Sequence, residues 1–207
     1  MPNINLEYVV ITLIAALPSL AVHELSHAFI AYKFGDNTAK DMGRLTINPI
    51  AHIDFFGTIL LPILVGFGYA KPVPVNFSIL KRWQILLVAI AGPVSNLCLA
   101  TILAISYHIL PIVNIPVLKF FLLLGIHLNI IFAVFNLIPI PPLDGSRVIY
   151  ASLRNPQAIK IYNHFSQFSM IILIGLIYLS YSGRFDFFGM VIDPVIRFFS
   201  NLFNLPS

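Results

Sequence analysis

The stretch LEYVVITLIAALPSLAVHELSHAFIA, residues 6–31, is almost continuously apolar and carries His23-Glu24-Leu25-Ser26-His27 in its second half. A run of this length crosses a bilayer as a helix, because about 20 apolar residues cover the hydrocarbon core. Ionisable side chains inside such a span are costly and mark function by default, usually facing a cavity lined by protein or water. On a helix, residues four apart share a face. His23 and His27 can therefore offer imidazole nitrogens to one ion, while Glu24 lies beside the water that the ion would carry. That is the pattern of a hydrolytic zinc site, two ligands and a general base in five residues. With six His and two Glu in 207 residues, composition alone yields about 0.002 matches to the pattern. Pro18, five residues before His23, is placed to kink this helix.

The rest of the composition agrees with a membrane setting. Hydrophobic residues make up 58% of the chain and charged ones 10%, with a mean hydropathy of +0.91, far from the balance of soluble domains. The net charge of +4 could suggest nucleic acid, but the basic residues are scattered and follow a positive-inside pattern instead, so no nucleic-acid partner is expected. Cys98 is the only cysteine, which excludes an internal disulfide and a cysteine metal cluster. Residues 1–7 contain no Lys or Arg. They lack the basic region of a cleavable signal peptide, and the first segment is expected to remain in the mature protein.

Residues 33–54 read as a polar loop with short extended pieces. Residues 55–69 are apolar but short for a span and interrupted by Gly57, Pro62, Gly66 and Gly68, which suggests a re-entrant or interfacial segment. Lys71-Pro72-Val73-Pro74-Val75-Asn76 reads as an edge strand, because alternating prolines forbid a helix. Further spans are expected over residues 83–110, 117–138 and 162–181, with a very short link at 111–116. The third span runs into a proline-rich turn at 139–145, followed by a polar loop holding Arg147, Arg154 and Lys160. Residues 185–203 read as an interfacial amphipathic helix or a weak fifth span. The expected fold is an all-α polytopic membrane protein of about four transmembrane helices, with a re-entrant or β-strand membrane segment after the first and an interfacial helix at the C-terminal end. It forms a single membrane-embedded domain over residues 1–207. If 55–69 does not cross, nine basic residues fall on one side and Lys119, Arg184 and Arg197 on the other. The positive-inside rule then predicts a multi-pass plasma-membrane protein with its histidine motif toward the cytoplasm.

A hydrolytic zinc takes three protein ligands and keeps one open position. The only glutamates are Glu7 and Glu24, so a downstream Glu ligand is impossible, and the position six after His27 is Lys33 rather than a third histidine. Asp54, Asp144, His52, His108, His127 and His164 remain. Asp144 is favoured because it follows the third span at the depth where the first presents His27. A plain turn aspartate beside Pro and Gly is an equal reading by position alone.

The chain resembles the site-2 proteases, the intramembrane zinc metalloproteases of peptidase family M50. The resemblance rests on His23-Glu24-x-x-His27, on Asn136-Leu-Ile-Pro-Ile-Pro-Pro-Leu-Asp144-Gly145, and on Ala91-Gly92-Pro93-x-x-Asn96 between them. Residues 43–54 and 71–76 look like the short bacterial and archaeal branch, without a PDZ or CBS domain. The resemblance implies His23, His27 and Asp144 as ligands of one Zn2+ per chain and Glu24 as the catalytic base. It also implies that Asn136 binds the substrate backbone or the oxyanion. Its substrate would be a transmembrane protein, cleaved within the lipid bilayer in or near its membrane segment, with residues 44–48 and 73–76 holding it by strand addition. Buried amides that only join helices are the alternative for Asn136, and more so for Asn96 and Asn129. His52 is a gate near the metal or an ordinary loop histidine. For the whole chain, the rival is a non-catalytic zinc-binding membrane protein, a carrier or a scaffold.

Overall fold

A computed structural model of the chain describes residues 6–60, 70–110 and 115–206. Helix α1 covers Leu6–Lys33 and runs through Pro18. A short α2 at Thr38–Asp41, a 3-10 turn at Pro49–His52 and a π-helical turn at Phe55–Leu60 follow. Then come α3 (Arg82–Ile109), α4 (Pro116–Leu137), α5 (Asp144–Ser152), α6 (Pro156–Tyr181) and α7 (Phe187–Leu202). Four of these are long and apolar enough to cross a membrane, over Val9–Lys33, Arg82–Ile109, Pro116–Leu137 and Pro156–Ser180.

The bundle is built on residues four apart. Ser19, His23, His27 and Ala31 form one buried stripe on α1, and Val88, Gly92, Asn96, Ala100 and Ala104 form another on α3. The two stripes meet antiparallel. His27 Nδ1 reaches Val88 O, Gly92 backs onto both imidazoles, and Asn96 Nδ2 reaches Ser19 O. Small residues allow this close approach, since apolar burial alone does not draw helices together in lipid. Helix α4 closes the core with Ile126, Ile130 and Ala133, while large apolar residues such as Ile14, Ile102, Ile105, Ile171 and Ile174 stay on the outside. Helix α6 is the most peripheral of the four long helices, with 11% of its span buried.

Several expectations change. No β-strand occurs among the described residues. The backbone of 71–76 is taken up elsewhere, with Lys71 N on His52 O, Val73 N on Glu24 Oε2 and Asn76 N on Asp36 Oδ2. Pro72 and Pro74 have no N–H to give. Arg44 Nη2 in turn donates to Lys71 O at 2.8 Å and to Pro72 O at 3.4 Å, so the segment is pinned by side chains rather than by a ladder. The re-entrant reading of 55–69 meets a π-helical turn as far as Leu60, and 61–69 lie outside the described residues. So does 111–114 of the expected link.

The polar loop expected after Gly145 is instead helix α5. Its first turn carries Asp144, whose negative charge suits a helix N-terminus. Helix α6 starts earlier than expected, because Asn155 caps it by accepting from Gln157 N at 2.8 Å and Pro156 occupies the first turn. Helix α7 has 16 residues, about 24 Å, short of the roughly 30 Å hydrocarbon core. It packs Val195, Ile196 and Phe199 on the cluster of Ala100, Ala104, Ile126 and Ile130.

Candidate metal centre

The structure brings His23, His27 and Asp144 together. His23 Nε2 and His27 Nε2 are 3.0 Å apart, and Asp144 Oδ2 lies 3.1 Å from His27 Nε2 and 3.2 Å from His23 Nε2. Both histidines come from consecutive turns of α1. Asp144 arrives at the N-terminus of α5, where Gly145 permits the approach: a Cβ there would strike the Leu137 carbonyl and sit 2.7 Å from Ile138 O.

Each imidazole is held by its other nitrogen. His27 Nδ1 lies 2.7 Å from Val88 O and His23 Nδ1 2.6 Å from Asn96 Oδ1. Both partners are acceptors, so both Nδ1 atoms carry the hydrogen and both Nε2 atoms of the neutral rings present a lone pair. Two imidazole lone pairs and a carboxylate oxygen thus converge on one point, a donor set that a cation satisfies.

Glu24 is buried, and its Oε2 accepts from Val73 N at 2.7 Å. Arg147, one turn beyond Asp144, stands 4.1 Å over the Phe77 ring, and its burial lowers the guanidinium pKa.

Other candidates lie elsewhere. His52 is buried with Nε2 on Thr46 O at 2.9 Å, Asp54 accepts from Gly57 N, His108 donates to Phe203 O and His127 to Leu123 O. His164 meets the Phe168 ring edge-on. The Asn136 amide donates to Phe132 O within its own helix at 3.0 Å and makes no hydrogen bond to the cluster among the described residues. Asn96 and Asn129 do join helices, Asn96 Nδ2 donating to Asn129 Oδ1 at 2.8 Å, and Asn96 is in addition bonded directly to His23. The Gly92-Pro93-x-x-Asn96 pattern was the available signal.

A bundle of membrane-length helices that brings two histidines and an aspartate together, beside a glutamate, is a membrane protein with a cluster that could hold a metal ion. Comparison with known proteins narrows the class. The sequence profile of Peptidase family M50 matches residues 11–116 and 110–179. The chain is 50% identical over 151 residues to the Bacillus subtilis protein named "Putative zinc metalloprotease YwhC", covering 69% of this chain and 67% of that one. Two proteins named "Putative zinc metalloprotease Rip2" are also similar. The one from Mycolicibacterium smegmatis is 30% identical over 167 residues, 78% of this chain and 64% of the relative. The one from Mycobacterium tuberculosis H37Rv is 32% identical over 187 residues, 84% and 69%. The chain thus spans about two thirds of the length of these relatives. No solved structure matches it. The chain belongs to peptidase family M50, the site-2 protease family.

The residues present fit the zinc that this family implies. A tetrahedral zinc with bonds of about 2.0–2.1 Å keeps its ligand atoms about 3.3–3.4 Å apart, close to the 3.0–3.2 Å triangle here. Gly92 adds a second sign. A Cβ on it would lie 2.6 Å from His23 Nε2 and clash with His27 Nε2, so the glycine keeps open the space beside the two ligand nitrogens.

Proposed function

We propose that this protein is an intramembrane zinc metalloprotease that hydrolyses a peptide bond in or near the transmembrane segment of a membrane-protein substrate, as in regulated intramembrane proteolysis. The observation that carries this reading is the convergence of His23 and His27, on a helix of bilayer length, with Asp144 at the start of α5, beside the Glu24 carboxylate. These three residues would hold one zinc ion per chain, which when bound polarises the scissile carbonyl and brings the pKa of a bound water near 7.

Glu24 serves as general base, taking the proton of the attacking water and returning it to the leaving amine. The Val73 N–H steadies Glu24 Oε2, while Oε1 has no protein partner among the described residues. Asn136, in the last turn of α4, binds the substrate backbone or the oxyanion. A peptide inside a helix has its carbonyl engaged in the i to i+4 ladder, so the substrate must unwind locally. Strand addition along 71–76 falls to Val75, whose N–H carries no protein partner among the described residues, unlike those of Lys71, Val73 and Asn76. The bias of basic residues supports a centre on the cytoplasmic side of the plasma membrane, and the shortness of α7 supports its lying along the interface.

Glu24→Gln tests the reading. Co-expressed with a membrane protein that the wild-type chain cleaves, the variant keeps its zinc and loses cleavage by about 10²–10⁴-fold. Persistent cleavage would leave a zinc carrier or scaffold as the better description.

A further inference from the structure

We propose that Asn96 and Asn129 are positioning residues for the metal centre. They form a two-amide relay that locks His23 in the tautomer whose Nε2 lone pair faces the ion. The inference rests on the metalloprotease reading above and deepens it.

The relay has defined ends. Gly125 O and Ser19 O can only accept, so they decide which end of each amide is nitrogen. Asn129 Nδ2 donates to Gly125 O at 2.8 Å and to Ser19 Oγ at 2.8 Å. Its Oδ1 then accepts from Asn96 Nδ2 at 2.8 Å, and that nitrogen also reaches Ser19 O at 3.3 Å. The remaining atom of Asn96, Oδ1, is 2.6 Å from His23 Nδ1, which must therefore carry the hydrogen. Both asparagines are fully buried, so no water competes for these contacts. Flipping either amide would set donor against donor or leave a carbonyl facing an oxygen. Backbone performs the same task for His27, through Val88 O. Only for His23 is the orientation of a ligand entrusted to side chains, and those side chains come from α3 and α4 while the ligand sits on α1. The relay thus makes the ligand geometry depend on the packing of three helices. Outer partners of this kind typically change metal affinity 10–100-fold when removed.

The rival is that the amides only join helices. Full-length protein in detergent distinguishes the two, using zinc affinity by chelator competition and the visible spectrum of the cobalt(II)-substituted form. Asn96→Asp keeps an acceptor for His23 Nδ1–H but loses the donor to Asn129 and Ser19, whereas Asn96→Leu loses both. We expect Asn96→Leu to bind zinc about 10–100-fold more weakly with an altered cobalt spectrum. Asn96→Asp should stay within a few-fold of wild type, although both variants melt at lower temperature than wild type. If the two variants weaken zinc alike, or neither does, the relay is overturned while the protease reading stands. If wild type binds no more zinc than His23→Ala, both fall together.

Discussion

Gly92 shows how one residue governs the centre. A Cβ at this position would enter the space beside His23 Nε2 and His27 Nε2. Gly92→Ala should therefore lower zinc affinity at least about 100-fold, beyond the usual outer-partner effect, while overpacking costs the fold only about 1–3 kcal/mol. Chelator competition alongside thermal unfolding separates the two effects, and zinc binding equal to wild type would contradict the placement. Little of this was readable from residue identity. The pairing of His23 with His27 and Glu24 is local, written in the four-residue repeat of one helix, so the sequence shows it directly. That Gly92 backs onto that pair depends on how α1 and α3 come into register. His108, His127 and His164, read as structural, lie away from the centre and contact Phe203 O, Leu123 O and the Phe168 ring.

At the scale of elements, the connections hold the site. Asp36, buried just after α1, accepts from Thr38 N, Thr38 Oγ1 and Asn76 N at 3.0, 2.5 and 2.7 Å, joining the end of α1 to the segment that caps Glu24. Burial works to raise its carboxyl pKa, but these donors more than offset this and bring it below the usual value. A depressed folded-state pKa means that the contribution is complete above the unfolded value of about 3.9 and fades as pH falls through the folded one. Asp36→Asn should accordingly cost about 1–3 kcal/mol at pH 7, and the gap in melting temperature from wild type should narrow only below about pH 4. A gap that closes between pH 5 and 7 would assign the stabilisation to another group. Helix α5 gives a second case. Gly145→Ala would drive a Cβ into the Leu137 carbonyl, so zinc content should fall although no ligand has changed; unchanged metal content would show that α5 can shift without moving Asp144. The sequence announced the proline turn before Asp144 but not the helix after it. It also suggested a strand at 71–76, because extended backbone looks the same locally whether it pairs with a strand or with side chains.

For the whole molecule, the charge bias predicts which way the bundle faces. With Cys98 replaced by serine, Ser78→Cys lies in the loop before α3 and Ser182→Cys just beyond α6, both exposed. If the nine basic residues on the site's side are cytoplasmic, a membrane-impermeant thiol reagent should label position 182 in intact cells and position 78 only after permeabilisation. The reverse pattern would turn the centre outward. The sequence by itself determined that this is a membrane protein of four apolar spans, the first of which carries two histidines on one face. Those properties follow from length, hydropathy and helical periodicity within one segment. Only the tertiary structure decided that Asp144, 117 positions beyond His27, joins the two histidines, that Val73 N–H meets Glu24, and that Asn96 and Asn129 connect to His23. Each of these depends on the register between packed helices, a relation carried by no single stretch of chain.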